Sequence, residues 1–163
     1  MASSKTLEQA IADITIWRKG EQRAPHKPLL LLYVLAKYQQ GHARLFDYGT
    51  EVHEQLLSLL ERFGPQRKLH YPNMPFWRLK RDGFWDLKNT EFCSTTGSKQ
   101  PPVKELMEHN VAGGFDEEHF ALLSKNKNLI GSLAQQILEA HFPESIQEEL
   151  ADEMGFDIQQ IRK

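Results

Sequence analysis

The apolar residues of this chain recur mostly at the three- and four-residue spacing of amphipathic helices. The first predicted helix begins at a capping box formed by Thr6 and Gln9, and it ends at Gly20. Its apolar stripe consists of Leu7, Ile11, Ile14 and Trp17. A second helix is predicted over residues 28–41. Its run over residues 29–35 is apolar on every side, which predicts a central, buried position.

Most of the remaining chain also has helical patterning, and one segment has the pattern of a β-hairpin. Further helices are predicted over residues 50–63, 102–110, 117–124, 128–142 and 145–154. The hairpin signal is Asp82 followed by Gly83. A loop over residues 81–83 preserves the period-2 alternation, whereas a two-residue loop mixes apolar and charged residues on both faces. The longer loop turns four residues inward, namely Trp77, Leu79, Trp85 and Leu87. The predicted fold is therefore an α-rich α+β domain, a bundle of six or seven helices with one hairpin, similar to a winged helix.

Length and composition predict one globular domain over residues 1–163. The chain is 40% hydrophobic and 26% charged, which is ordinary for a folded domain. It has no apolar run long enough to span a membrane, and its first residues lack the basic and apolar regions of a signal peptide. We therefore expect a cytoplasmic protein that does not insert into membranes. The single cysteine, Cys93, excludes an internal disulfide and a cysteine-rich zinc cluster.

The net charge of −2 conceals an uneven distribution. Residues 1–104 carry 16 Lys and Arg against 10 Asp and Glu, a balance of +6. Residues 105–163 carry 4 against 12, a balance of −8. Such asymmetry is typical of proteins with an anionic partner on the basic side, although two solvated surfaces of opposite sign give the same distribution.

Two segments carry candidate binding chemistry. Residues 67–88 interleave cations with aromatic residues and prolines, a composition that suits nucleic acid. Within them, two prolines stiffen residues 69–76, which we predict to be an irregular loop that is either covered by another element or forms a hydrophobic recess. Arg78 and Lys80 point outward from the predicted hairpin, and we expect Lys27 to project outward as well. The second segment, residues 23–27, places cations and an imidazole before a helix start, which favours an anion; solvated cations are the commoner outcome there.

Four sequence blocks together resemble a known family. They read RAPHKPLLLL over residues 23–32, PFWRLKRDGFWDL over 75–87, VAGGF over 111–115 and HFPESIQEEL over 141–150. In this order they are similar to the sulfur-binding domain of McrA-like type IV restriction endonucleases. The resemblance implies a domain that binds double-stranded DNA with a phosphorothioate in its backbone, in which sulfur replaces one non-bridging phosphate oxygen.

The resemblance also implies roles for particular residues. His26 and Lys27 would contact the modified backbone, and Ser98 and Lys99 would make further DNA contacts. The sulfur would lie in a recess formed by Tyr71, Pro72, Met74, Pro75 and Phe76. Cations around the recess would supply affinity that does not depend on sequence, namely Arg23, Lys27, Arg78, Lys80 and Lys99. Family members usually have a tyrosine where this chain has Met74, so either Met74 replaces the aromatic wall or Tyr71 supplies it.

We expect no catalysis by this chain alone. Its seven histidines are scattered, and it lacks an HExxH motif, an HNH-like cluster and paired cysteines, so neither a metal nor a cofactor is predicted. A nuclease domain, of the HNH type in the resembling family, is expected beyond Lys163. Two other functions stay open, a winged-helix domain that reads unmodified DNA and a protein-interaction module that uses the acidic half. The oligomeric state stays open as well.

Overall fold

The computed structural model describes residues 3–14, 18–19, 22–23, 25–64, 69–93 and 100–156, with the backbone alone at 18–19 and 22–23. Within these ranges the chain forms eight α-helices and five short strands. The helices are α1 (Ser4–Ala12), α2 (His26–Gln39), α3 (His53–Phe63), α4 (Asn73–Arg78), α5 (Val103–Glu108), α6 (Glu117–Lys125), α7 (Lys127–His141) and α8 (Glu144–Met154). The strands are β1 (Arg18–Lys19), β2 (Gln22–Arg23), β3 (Phe46–Asp47), β4 (Trp85–Lys88) and β5 (Ala112–Phe115). None of the described helices combines the length and the apolar character needed to cross a bilayer.

Helix α2 runs through the centre of the molecule. All residues of its apolar run over 29–35 are buried, because α2 packs against α3, α4, α7 and α8. A helix that other helices surround needs no polar face. Gly41, just beyond the end of α2, has the left-handed conformation that favours glycine, with φ of +96°. The predicted central position of this helix is therefore confirmed.

The other predicted helices are also present, with shifts at their ends. Helix α1 begins three residues earlier than predicted, at a capping box of Ser3 and Thr6, and it ends at Ala12, with Ile14 buried beyond its end. The predicted continuation to Gly20 is wrong, because Arg18–Lys19 is strand β1, which pairs with β2. Trp17 and Gly20 lie outside the described residues. A single π-helical turn, Tyr48–Val52, precedes α3 where the sequence predicts its first turn. The α-rich α+β class is confirmed.

A small antiparallel sheet in the order β3, β5, β4 packs against the helices. In its register Trp85 lies opposite Phe115. The middle strand carries Gly113 and Gly114 because both lie against close neighbours. A Cβ at Gly113 would be 2.8 Å from the Phe76 ring, and one at Gly114 would overlap a backbone carbonyl. The VAGGF block of the sequence therefore has a packing role.

The predicted hairpin over residues 77–87 is wrong. Its first strand is helical, since α4 ends at Arg78 and a 3₁₀ turn follows over Leu79–Asp82. Its second strand is β4, which pairs with β5 instead of with residues 77–80. Gly83 does have the predicted left-handed conformation, with φ of +92°. The local turn signal was therefore correct, and the strand partner was not.

The predicted irregular loop over residues 69–76 is wrong in its second half, where α4 begins. Pro72 is the N-cap of α4, and Pro75 is its third residue, a position whose N–H group has no intrahelical acceptor. The prolines thus stiffen the helix start without preventing it. All four residues of the predicted inward set pack against the core: Leu79 and Trp85 are buried, and Trp77 and Leu87 are half-buried.

Candidate nucleic-acid interface

The two segments that the sequence singles out lie together in space. Lys27, in the first turn of α2, donates from Nζ to Oδ2 of Asp82 over 2.7 Å. Asp82 ends the 3₁₀ turn that directly follows α4, and α2 also packs against α4. Residues 25–27 and 71–82 therefore form one continuous region, which we call the candidate face.

The start of α2 is more buried than the sequence predicts. His26 is 4% exposed and Lys27 is 9% exposed, so the expectation that Lys27 projects outward is wrong. The physical reason is the ion pair with Asp82, which compensates an ammonium that the packing of α2 removes from water. Arg23 belongs to β2 by its backbone, and its side chain lies outside the described residues.

The segment that leads into α4 has an exposed side and a buried side. Tyr71 is 52% exposed and Met74 is half-buried, whereas Pro72 and Pro75 are buried. The accessible surface of the predicted recess therefore comes from the tyrosine ring and the methionine thioether. The two prolines hold the backbone between them in a fixed conformation.

Phe76 lies beneath this segment instead of at its surface. It is fully buried, and its ring centroid is 5.0 Å from that of Tyr48 and 5.9 Å from that of Trp85. The indole Nε1 of Trp85 donates to the Phe76 carbonyl over 2.9 Å. Gly113 leaves room for the Phe76 ring. Phe76 is thus inaccessible as a wall of the recess, and it supports the segment from below.

Asn73 ties this segment to a part of the chain 28 residues away. Its Nδ2 donates to the carbonyl of Pro101 over 2.9 Å, in a buried contact. No sequence pattern predicted this anchor, because a side-chain hydrogen bond to a distant carbonyl follows no local pattern. Ser98 and Lys99, which precede Pro101, lie outside the described residues.

Several buried polar atoms around this segment have no hydrogen-bond partner within the described part of the chain. They are His70 Nδ1, Asn73 Oδ1, Arg78 Nε and Gln100 Oε1. Burying a polar atom without a partner costs on the order of 1 to 3 kcal/mol. Folded proteins therefore contain few such atoms, and each one calls for an explanation. All four lie close in the chain to residues 65–68 or 94–99, which are outside the described ranges, or to α4.

The cations of the described chain differ in how available they are to a ligand. Arg44 is occupied, because it donates to Asp86 and to the Phe115 carbonyl, each over 3.0 Å. Arg62 is likewise paired with carboxylates of α8. Lys80, on the turn after α4, is exposed, and Arg78 is half-buried. The candidate face therefore carries accessible positive charge next to its apolar surface.

A cavity of about 200 Å³ lies elsewhere in the molecule. Tyr38, Phe120 and Lys127 are among the residues that line it, and no residue of the candidate face does so. This cavity is therefore separate from the candidate face.

Sequence and fold are both similar to one group of proteins. The family whose sequence model matches residues 4–159 is described as ScoMcrA-like, DNA sulfur-binding domain. No curated protein sequence matches the chain.

Solved structures of this group share the fold. The sulfur binding domain of ScoMcrA complexed with phosphorothioated DNA has a TM-score of 0.79 and 21% identity, over 94% of this chain and 97% of that chain. The sulfur binding domain of SprMcrA, also complexed with phosphorothioated DNA, has a TM-score of 0.76 and 21% identity, over 94% of each chain. The Type IV phosphorothioation-dependent restriction endonuclease ScoMcrA has a TM-score of 0.73 and 22% identity, over 90% of this chain and 32% of that chain.

Proposed function

We propose, since this chain belongs to the family of ScoMcrA-like DNA sulfur-binding domains, that it binds double-stranded DNA with a phosphorothioate in its backbone. The structural observation that carries the proposal is the apolar surface of Tyr71 and Met74 beside the start of α2. Two relatives with this fold are described as complexes with phosphorothioated DNA, which supports the proposal.

The recess, whose accessible walls are Tyr71 and Met74 above the buried Pro72 and Pro75, selects sulfur through the donors that it lacks. Sulfur is larger, more polarizable and a weaker hydrogen-bond acceptor than oxygen, so contact with apolar walls costs it little hydration. A phosphate oxygen in the same place would lose its water without gaining a donor, at a cost on the order of 1 to 3 kcal/mol. The flexible, polarizable thioether of Met74 suits such a contact.

Cations and helix starts supply affinity that does not depend on the sulfur. Lys80 and Arg78 contact backbone phosphates near the recess. His26 and Lys27 lie in the first turn of α2, where free N–H groups and the helix dipole favour a phosphate. The proposed contact set is completed by Arg23, Ser98 and Lys99.

At the level of the whole protein, we assign the domain to recognition in a modification-dependent type IV restriction system. The domain binds and does not cut. An attached nuclease domain, of the HNH type, would cleave the DNA that the domain recognises, in the bacterial cytoplasm. A domain of this fold accounts for part of a structure described as a Type IV phosphorothioation-dependent restriction endonuclease, which supports this assignment.

Matched duplexes test the binding proposal. Fluorescence anisotropy would compare a duplex that has a single phosphorothioate of defined configuration with the same duplex without it. We expect the protein to prefer the modified duplex by about tenfold or more, which corresponds to ~1.4 kcal/mol. Equal affinity would indicate a reader of unmodified DNA, as a winged-helix domain is. No binding to either duplex at low salt would indicate a protein-interaction module.

A further inference from the structure

Lys27 and Asp82 form an ion pair that is unusual in its place and its burial. The Lys27 ammonium lies 2.7 Å from a carboxylate oxygen of Asp82, and the two side chains are only 11% and 4% exposed. The two residues are 55 positions apart, so the pair joins α2 to the turn after α4. Burying two charges costs desolvation free energy, which the attraction between them often offsets without a net gain. A buried pair is therefore a weak way to stabilise a fold and suggests another role.

Lys27 also breaks the local rule for helix starts. It is the second residue of α2, where the positive end of the helix dipole disfavours a cation. The first turn of α2 contains no acidic residue, so the compensating charge comes from Asp82. The chain thus keeps an ammonium at a helix end that itself favours phosphate. Sequences break such local rules mainly at functional sites.

We propose that Asp82 is a positioning residue for DNA binding, an assignment that rests on the proposed function above. An ammonium has three N–H groups, and the Asp82 carboxylate accepts one of them from Lys27. This contact fixes the direction of the other two, which donate to an oxygen of the DNA backbone at the start of α2. Because Asp82 ends the turn that carries Lys80, the same contact fixes the spacing between two cationic parts of the candidate face.

If Asp82 positions Lys27, neutralising Asp82 should change DNA affinity in the direction opposite to the one that net charge alone predicts. Removal of a carboxylate beside a polyanion reduces repulsion, so charge alone would make Asp82→Asn bind DNA more tightly. Affinity for DNA would also increase if Asp82 merely occupied the place of a phosphate on Lys27, because removal of the carboxylate would free the Lys27 ammonium. A positioning role instead predicts weaker binding, since Lys27 loses its orientation.

The first test compares Asp82→Asn with a matched control, Asp86→Asn. Asp86 has the same charge four residues further along, but it pairs with Arg44 over 3.0 Å. Anisotropy titrations over a range of salt concentrations would use the modified and the plain duplex, with folding checked by thermal melting. We expect Asp82→Asn to bind both duplexes about tenfold more weakly. For this variant, the slope of log K (the binding constant) against log salt concentration should become shallower by the amount that one phosphate contact contributes. The control should bind as the wild type or more tightly.

A double-mutant cycle shows whether Asp82 acts through Lys27. We expect Asp82→Asn to cause no further loss of binding in a Lys27→Met background, whereas a general weakening of the fold would lower binding in both backgrounds. Asp82→Glu keeps the charge but displaces the carboxylate, so it should also weaken binding and serves if Asp82→Asn does not fold.

Three results would overturn the assignment. They are unchanged or tighter binding by a folded Asp82→Asn, additive losses in the cycle, and wild-type binding by Asp82→Glu. Failure of the proposed function would be distinguishable, because the wild-type protein itself would then show no preference for the modified duplex.

Discussion

At the scale of single residues, a substitution of Tyr71 should affect DNA binding with little effect on folding. Its side chain is 52% exposed, so its removal should cost the fold little. We expect Tyr71→Ala to weaken binding of the modified duplex by about tenfold, because a ring contact of roughly 50 Å² with sulfur is worth ~1.3 kcal/mol at ~25 cal/mol per Å². Plain DNA never used the recess and should bind almost as before, as measured by anisotropy with both duplexes.

Phe92 provides a matched control for this substitution. It is an aromatic residue with 78% exposure that packs beside His109, outside the candidate face. Phe92→Ala should leave the affinity for both duplexes unchanged. If Tyr71→Ala lost both duplexes in equal proportion, the hydrophobic recess would not be at this segment.

Substitutions of Met74 test whether the recess prefers sulfur because it lacks hydrogen-bond donors. Met74→Lys introduces an ammonium beside the recess, which gives an ordinary phosphate oxygen the partner that it lacks. We therefore expect the plain duplex to gain affinity relative to the modified one, so that the preference falls severalfold. Met74→Leu, which keeps an apolar side chain of similar volume, should preserve the preference. A ratio of the two dissociation constants that Met74→Lys leaves unchanged would contradict this mechanism.

Lys27 and Phe76 show what residue types alone could predict about the site. The sequence assigned Lys27 to contacts with the DNA backbone and Phe76 to the recess, and both residues belong to the segments that form the candidate face. The sequence could not predict that both side chains are buried, because their burial depends on contacts far along the chain. Lys27 is covered through Asp82, and Phe76 through Tyr48 and the space at Gly113.

At the scale of elements, the region around α4 shows where periodicity stops being informative. The turn at Gly83 and the inward set of apolar residues follow from local rules, and both are present. The partner of β4 does not follow from local rules, because β5 contains glycines at positions where the pattern of a strand normally has β-branched residues. Helix α4 was not predicted because its start contains two prolines, although a helix accepts proline in its first turn.

The close packing of β5 on α4 gives a prediction about stability. Gly113→Ala would place a Cβ 2.8 Å from the buried Phe76 ring, so the ring must move. We expect a loss of roughly 1 to 3 kcal/mol in the free energy of unfolding, typical of overpacking, measured by urea denaturation. Binding of the modified duplex should fall as well, because Phe76 supports the recess.

Gly131 is the control for this substitution. It lies within α7, and a Cβ there would meet nothing within 4 Å. Gly131→Ala should therefore stabilise the protein by roughly 0.5 to 1 kcal/mol and leave DNA binding unchanged. If both alanine variants had the same stability, the close approach of Phe76 to β5 would not constrain the fold.

At the scale of the whole molecule, the four sequence blocks have different structural roles. The first two supply the candidate face, and the Lys27–Asp82 pair joins them. The third is β5, which lies under Phe76. The fourth connects α7 to α8, where Phe142 is buried and its carbonyl accepts a hydrogen bond from Gln147 over 3.0 Å. The sequence could predict the blocks and their order, but only the folded chain shows that two of them are scaffold.

The uneven charge of the chain fixes how DNA can approach it. The accessible cations described above lie on the candidate face, whereas α8 presents carboxylates that pair with Arg62. Residues 105–163 as a whole carry the balance of −8 that repels a polyanion. A duplex should therefore dock in one orientation, with its backbone along the candidate face.

A single docking orientation predicts a strong preference for one stereoisomer of the phosphorothioate. The two non-bridging positions of a phosphate point to different sides of the backbone, so only one of them can direct sulfur into a recess on a docked protein. We expect the two isomers to differ in affinity by about tenfold or more, since the disfavoured isomer places an oxygen in the recess. Tyr71→Ala should reduce this ratio towards one, because it removes the contact that distinguishes the isomers. Lys80→Ala should weaken both isomers alike and preserve the ratio, because a phosphate contact does not sense the sulfur. Equal binding of the two isomers by the wild-type protein would contradict a recess of fixed orientation and would shift attention to the start of α2, where a phosphate could be held without regard to configuration.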